Sequence, residues 1–203
     1  MKRPYHHGDL PAALLQAAEA ILREQGLPAL TLRAVARRAG VSHTAAAPHF
    51  GDLTGLMTEL AASGFRRFNA ALGQAQANPG ARTPNRATAH AYVRFAVENP
   101  ALFLLMFRPE RLDYERPSLR EAAQGAQAAL MRTTGSPAST APPDLATLGV
   151  ATANWSLVHG FALLLIDGLL RSLLEAPAAN GNAEALLDAA LQASSIPLVS
   201  PNG

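Results

Sequence analysis

No cysteine occurs in this chain of 203 residues. That excludes a disulfide framework and a thiolate metal site, and it is compatible with a reducing cytoplasm. No glycine-rich phosphate loop, paired-carboxylate motif or metal triad is present either. His159 and Asp167 stand eight residues apart on one expected helix, too far for direct contact at ~1.5 Å rise per residue. A catalytic constellation is therefore not expected, nor a cofactor, nor a metal. The opening stretch MKRPYHHGDLPAA lacks the apolar run of a signal peptide. The longest apolar segment, Gly160 to Ile166, is too short to span a bilayer. These absences predict a soluble cytoplasmic protein with no membrane partner.

Charge is scarce, at 16% of residues with a net +2, but it is unevenly spread. Residues 1–70 hold eight Lys/Arg against five Asp/Glu, and residues 71–203 hold nine against ten. The positive excess sits at the N-terminal end, where phosphate binding would need it. Apolar residues make up 49%, and the prevalence of alanine and leucine favours helix. The fold class predicted is all-α.

The segment TLRAVARRAGVSHTAAAPHF, residues 31–50, spells a helix-turn-helix. Thr31 caps a short helix with Leu32, Val35 and Ala36 on one face and Arg33, Arg37 and Arg38 on the other. Gly40 ends it in a left-handed turn, and Val41 plugs inward. Ser42 caps a second helix, His43 to about His49, which in such a motif enters the major groove. Three arginines and two histidines favour this reading over an ordinary αα-hairpin. The residues expected to face DNA are Thr31, Arg33, Ser42, His43, Thr44, Ala45, Pro48 and His49. His43 and His49 read as phosphate or base contacts in preference to pH sensors, and His6 and His7 as an arm near phosphates in preference to a metal site.

Along the chain, Asp9 caps a first helix striped by Leu14, Ala18, Ile21 and Leu22, and Asp52 caps a longer one that runs to Asn78-Pro79-Gly80. Further helices follow: one through Thr88, Tyr92, Phe95 and Ala96; a short one capped by Asn99 with Phe103, Met106 and Phe107; and one striped by Leu119, Ala122, Ala126 and Leu130. Thr133 to Pro143 is a low-complexity linker, read as mobile. Asp144 opens a helix that is apolar nearly all round, which must be buried on two sides. The second side is expected to be a partner subunit, met through Leu157, Phe161, Leu164, Gly168 and, on the last helix (about Ala183 to Ala193), Leu186 and Ala190. The domain division expected is a head over 1–52, a connecting helix over 53–78, a helical bundle over 79–194 and a disordered tail over 195–203.

This organisation resembles the tetracycline-repressor (TetR) family. The resemblance rests on Thr31-Leu32-Arg33 with Val35-Ala36, on Ala39-Gly40-Val41-Ser42, and on His49-Phe50 followed by Asp52 and Leu56. A narrower resemblance is to the subgroup with a Trp-x-x-x-His-Gly signature, matched by Trp155, His159 and Gly160. That subgroup's Tyr5-His6-His7-Gly8-Asp9-Leu10 and Glu98-Asn99-Pro100-Ala101-Leu102-Phe103 also match. The resemblance implies a homodimer joined by the last two long helices, a DNA-reading head on each subunit, and a small-molecule pocket in each larger domain. Trp155 and His159, one helical turn apart, read either as a core pair or as a pocket wall. The expected pocket lining is Tyr92, Phe95, Phe103, Met106, Phe107, Trp155 and His159, suited to a small hydrophobic effector.

The sequence departs from the family pattern where DNA would be touched. Ala47 stands for an aromatic residue and is followed by Pro48; His43 and Leu53 stand for lysines. Each change removes a phosphate contact, so low, salt-sensitive affinity for a pseudo-palindromic double-stranded operator is expected. The reading is a ligand-responsive transcriptional regulator, a repressor released by its effector. The alternative is a helical dimeric sensor or protein-binding module whose head has lost tight operator binding.

Overall fold

The computed structural model describes residues 10–42, 44–134 and 142–194. Among them are ten α-helices and no strand: α1 Leu10–Gln25, α2 Leu32–Ala39, α3 Ala47–Phe50, α4 Leu53–Ala77, α5 Pro84–Glu98, α6 Pro100–Met106, α7 Pro117–Arg132, α8 Leu145–Ile166, α9 Arg171–Glu175 and α10 Ala183–Ala193. Two compact units are present. The first comprises residues 1–69 and 99–126, the second residues 70–98 and 127–203.

In the first unit α1 packs on α2 and α6. The inward stripe of α1, Leu14, Ala17, Ala18, Ile21 and Leu22, is buried as its helical spacing requires. Val35 and Ala36 of α2 and Phe50 of α3 are buried with them. Arg67 of α4 clasps Glu19 of α1 at 2.8 and 2.9 Å and donates to Asn99 Oδ1 at 3.1 Å. That bond explains a departure from expectation. Asn99 precedes α6, but its side chain makes no capping bond to the helix; its amide oxygen is engaged by Arg67 instead. Gly64 lies where an added Cβ would meet Met106 Sδ at 2.7 Å, so the missing side chain lets α4 and α6 approach closely.

The second unit is built around α5, which is buried without interruption from Ala87 to Val93. It packs against α8 and α10. Asp144 caps α8 by accepting from Thr147 N at 2.8 Å. The stripe Ala151, Val158 and Ala162 is buried together with Phe161. The run Gly160 to Ile166 is short, but α8 as a whole spans 22 residues and is long and apolar enough to cross a membrane by length and composition. The expectation drawn from the run alone fails because Thr, Asn and Ser interrupt the apolar residues of α8 without adding a charge. Thr152, Asn154 and Ser156 are exposed; Thr152 donates to Leu148 O at 2.8 Å and Asn154 to Thr133 Oγ1 at 3.2 Å.

Candidate functional site

The head is set by its caps. Thr31 Oγ1 accepts from Ala34 N at 3.1 Å, and Gly40 ends α2 at φ 73°. Val41 N returns to Ala36 O at 3.0 Å and so bonds back onto α2. Asp52 Oδ1 accepts from Gly55 N at 2.8 Å and caps α4. The second helix of the motif is shorter than expected. Ala45 N bonds to Ser42 O in a turn, Ser42 Oγ lies 3.1 Å from Thr44 Oγ1, and helix begins only at Ala47. Pro48 supplies the reason. It has no N–H to give to Thr44 O, and its ring would clash with that carbonyl, so it is tolerated only in a first helical turn.

Thr31, Arg33, Ser42, Thr44, Pro48 and His49 are exposed, and Ala45 is half-buried. His43, like His6, His7, Asp9 and the tail from residue 195, lies outside the described residues. Arg38 is committed to Glu24, with both guanidinium nitrogens on the two carboxylate oxygens at 2.7 and 2.8 Å. That pairing holds the Glu24 carboxyl below its ordinary range and makes Arg38 a brace between α1 and α2.

In the second unit Tyr92, Trp155 and His159 form a hydrogen-bonded chain between α5 and α8. Trp155 Nε1 donates to Tyr92 Oη at 3.2 Å, and Tyr92 Oη lies 2.8 Å from His159 Nδ1. Burial pushes the phenol up and the imidazole down from their ordinary values. Both groups are therefore held neutral. With the phenol protonated, Tyr92 donates to His159 Nδ1 and the imidazole keeps its proton on Nε2. Tyr92 and Phe95 are buried, while Trp155 is 41% exposed.

The other three residues expected in this lining, Phe103, Met106 and Phe107, belong to the first unit. Phe103 and Met106 are fully buried there. Phe107 packs on Phe103 with centroids 4.9 Å apart and edge-on to Phe65 at 5.5 Å. Of the residues expected to meet a partner, Phe161 is buried, Leu157, Leu186 and Ala190 are half-buried, and Leu164 and Gly168 are exposed.

Two polar clusters escaped the sequence reading. Buried His90 of α5 meets Asp188 of α10 at 2.9 Å, and Arg82 pairs with Glu184 at 2.8 Å. The His90 bond and the nearby arginines hold the Asp188 carboxyl low. In the first unit, Glu59 receives Arg116 and Ser118. The one local signal was Gly55, a glycine in the first turn of a helix, which marks close approach of other atoms.

A family model of bacterial regulatory proteins, tetR family, matches residues 14–60. A second, of the tetracyclin repressor-like C-terminal domain, matches residues 85–193, more than half of the chain. The chain belongs to the TetR family. A protein of unknown function from Rhodococcus sp. RHA1 is 30% identical over 95% of this chain and 97% of its own, with a TM-score of 0.75. Two solved regulators share the fold: a TetR-like transcriptional regulator from the same Rhodococcus (18% identity, 93% and 99% coverage, TM-score 0.57) and the TetR family regulator PfmR from Thermus thermophilus (20%, 88% and 97%, 0.55). No curated protein matches the chain in sequence. As a TetR protein it is a ligand-responsive, DNA-binding transcriptional regulator. Proteins of this family are generally not enzymes.

Proposed function

We propose that the protein is a cytoplasmic homodimeric repressor. It binds a pseudo-palindromic operator and leaves it when a small hydrophobic effector meets the wall formed by Tyr92, Phe95, Trp155 and His159. The observation that carries this reading is the Trp155–Tyr92–His159 chain, a directional polar array on the two helices that also carry buried Phe95, Val158 and Phe161. An apolar wall with one polar line suits an aromatic or aliphatic molecule bearing one or two polar atoms better than a phosphate or a sugar. The dimer is supported by α8, where Leu148, Val150 and Leu164 are 41–47% exposed. A second copy packed there and on α10 would take this surface from water.

Trp155 is the single tryptophan, so its emission reports on the wall. The protein is titrated with a panel of aromatic carboxylates, phenols and medium-chain fatty acids, alone and on a labelled duplex of its own promoter region. A compound that releases the duplex should change Trp155 emission. His159→Ala should weaken that compound while leaving compound-free DNA affinity unchanged. Release without any emission change, and indifferent to His159→Ala, would refute the placement. If the dimer binds such compounds but not the duplex even at low salt, the reading of a sensor without tight operator binding takes its place.

A further inference from the structure

The turn read here as the DNA-reading element ends on a carbonyl that its own helix cannot satisfy. α3 is a single turn, and Phe50 is its last residue. The last carbonyls of a helix have no partner within it. Phe50 O instead accepts from Arg116 Nη2 at 3.3 Å. Arg116 immediately precedes α7, and its own carbonyl takes the first helical bond of α7, from Arg120 N at 3.1 Å. The same guanidinium reaches Glu59 Oε1 of α4 at 3.4 Å, and Ser118 Oγ donates to that oxygen at 2.7 Å. One residue earlier on α4, fully buried Thr58 accepts from Asp113 N at 3.0 Å. The loop before α7 and the first turn of α7 are thus bonded to α4 at three points, and Arg116 extends the link to the end of α3.

A second feature, independent of these bonds, shows that the approach is built in. An added Cβ at Gly55 would run into the Phe50 carbonyl oxygen and come within 2.9 Å of Arg116 Nη2. Only glycine lets the first turn of α4 lie against that carbonyl and leaves the guanidinium room to reach it. Phe50 belongs to the segment matching the N-terminal family model, and Arg116 to the segment matching the C-terminal one. Both lie in one compact unit.

We propose that Arg116 is a positioning residue for DNA binding: held by Glu59, it fixes the Ala47–Phe50 turn through the Phe50 carbonyl. A one-turn helix cannot hold its own orientation, so an external donor at its end sets how the adjoining exposed residues are presented. The inference rests on the reading of this turn as a DNA-contacting element. Arginine suits the role because its planar fork serves a carbonyl and a carboxylate together. Lysine, with one ammonium on a flexible stem, serves them less well.

The test compares wild type with Arg116→Ala, Arg116→Gln and Arg116→Lys in the full chain. Two quantities are read: affinity for a labelled duplex of the promoter region, and amide hydrogen exchange across residues 47–52. Arg116→Ala should speed exchange in that window alone and weaken DNA binding by about tenfold, the equivalent of roughly 1.4 kcal/mol. Arg116→Lys should recover part of both. If Arg116→Ala does not fold, Arg116→Gln carries the same comparison. Unchanged exchange at 47–52, or faster exchange with unchanged DNA affinity, overturns the proposal. Faster exchange throughout the chain makes Arg116 merely structural and also overturns it. A wild-type protein that does not bind the duplex refutes the DNA reading itself, and the exchange window then separately decides whether Arg116 holds the turn.

Discussion

Burial sets the direction of the response of His159 to pH. Its imidazole is held below the ordinary value of 6.5 by desolvation, so the unfolded chain takes up its proton at a higher pH than the folded one. Stability is therefore full above the unfolded value and falls as pH drops from there toward the folded value. In urea melts between about pH 8 and about pH 5.5, wild type should lose stability through this window. His159→Gln, which can still accept from Tyr92, should lose less. Parallel pH profiles for the two proteins would show that His159 does not titrate on unfolding. At this scale the sequence was partly legible. Trp155 and His159 share a face because they are four apart on a helix, and periodicity makes that visible. Tyr92, expected in the same lining, is their common partner although it lies 63 and 67 residues away in the chain; no local pattern shows that it bonds to both. Arg116 was illegible for the same reason, since its role depends on a carbonyl 66 positions earlier.

Among the elements, three helix starts were legible because a side chain caps its own helix. Thr31, Asp52 and Asp144 each accept the expected backbone N–H. The reading failed where another element or another rule prevailed. Ser42 was expected to open a helix, but Pro48 delays it to Ala47; Asn99 was expected to cap α6, but its side chain is bonded to Arg67. These points shape a prediction for α3. Pro48→Ala restores an amide and removes a ring clash worth about 3 kcal/mol within a helix, so the helix should extend toward Thr44. This would be seen as slower exchange of the Ala47 amide and protection of the new amide at position 48, which gains Thr44 O as acceptor. Leu53→Lys adds a cation at the start of α4 and should steepen the dependence of log affinity on log salt by about 0.9, one phosphate's worth. Ala47→Tyr should strengthen binding further. Nanomolar operator binding by wild type that the pair Ala47→Tyr and Leu53→Lys leaves unchanged would contradict the account of a weakened head.

For the whole molecule, the prediction concerns association. Leu164 is 41% exposed on α8. Leu164→Glu would place a charge in the proposed seam, where no partner awaits it, and should convert a dimer into a monomer or an aggregate. A wild-type chain that sediments as a monomer at micromolar concentration would end the dimer proposal. The all-helical class and the helix-turn-helix were visible in the sequence because amphipathic spacing and caps are local. The two compact units were not, since they cut across α4 and α7 and depend on contacts between distant segments. The apolar circumference of α8 has one more consequence. For a dimer closed over that helix, folding and pairing are a single equilibrium, with two molecules on one side and one on the other. Such a protein has no melting temperature of its own; the midpoint climbs with the logarithm of its concentration. In a cell holding few copies, the filled fraction of operators would then rise more steeply than the number of chains, and a small change in synthesis would set the threshold at which operators fill.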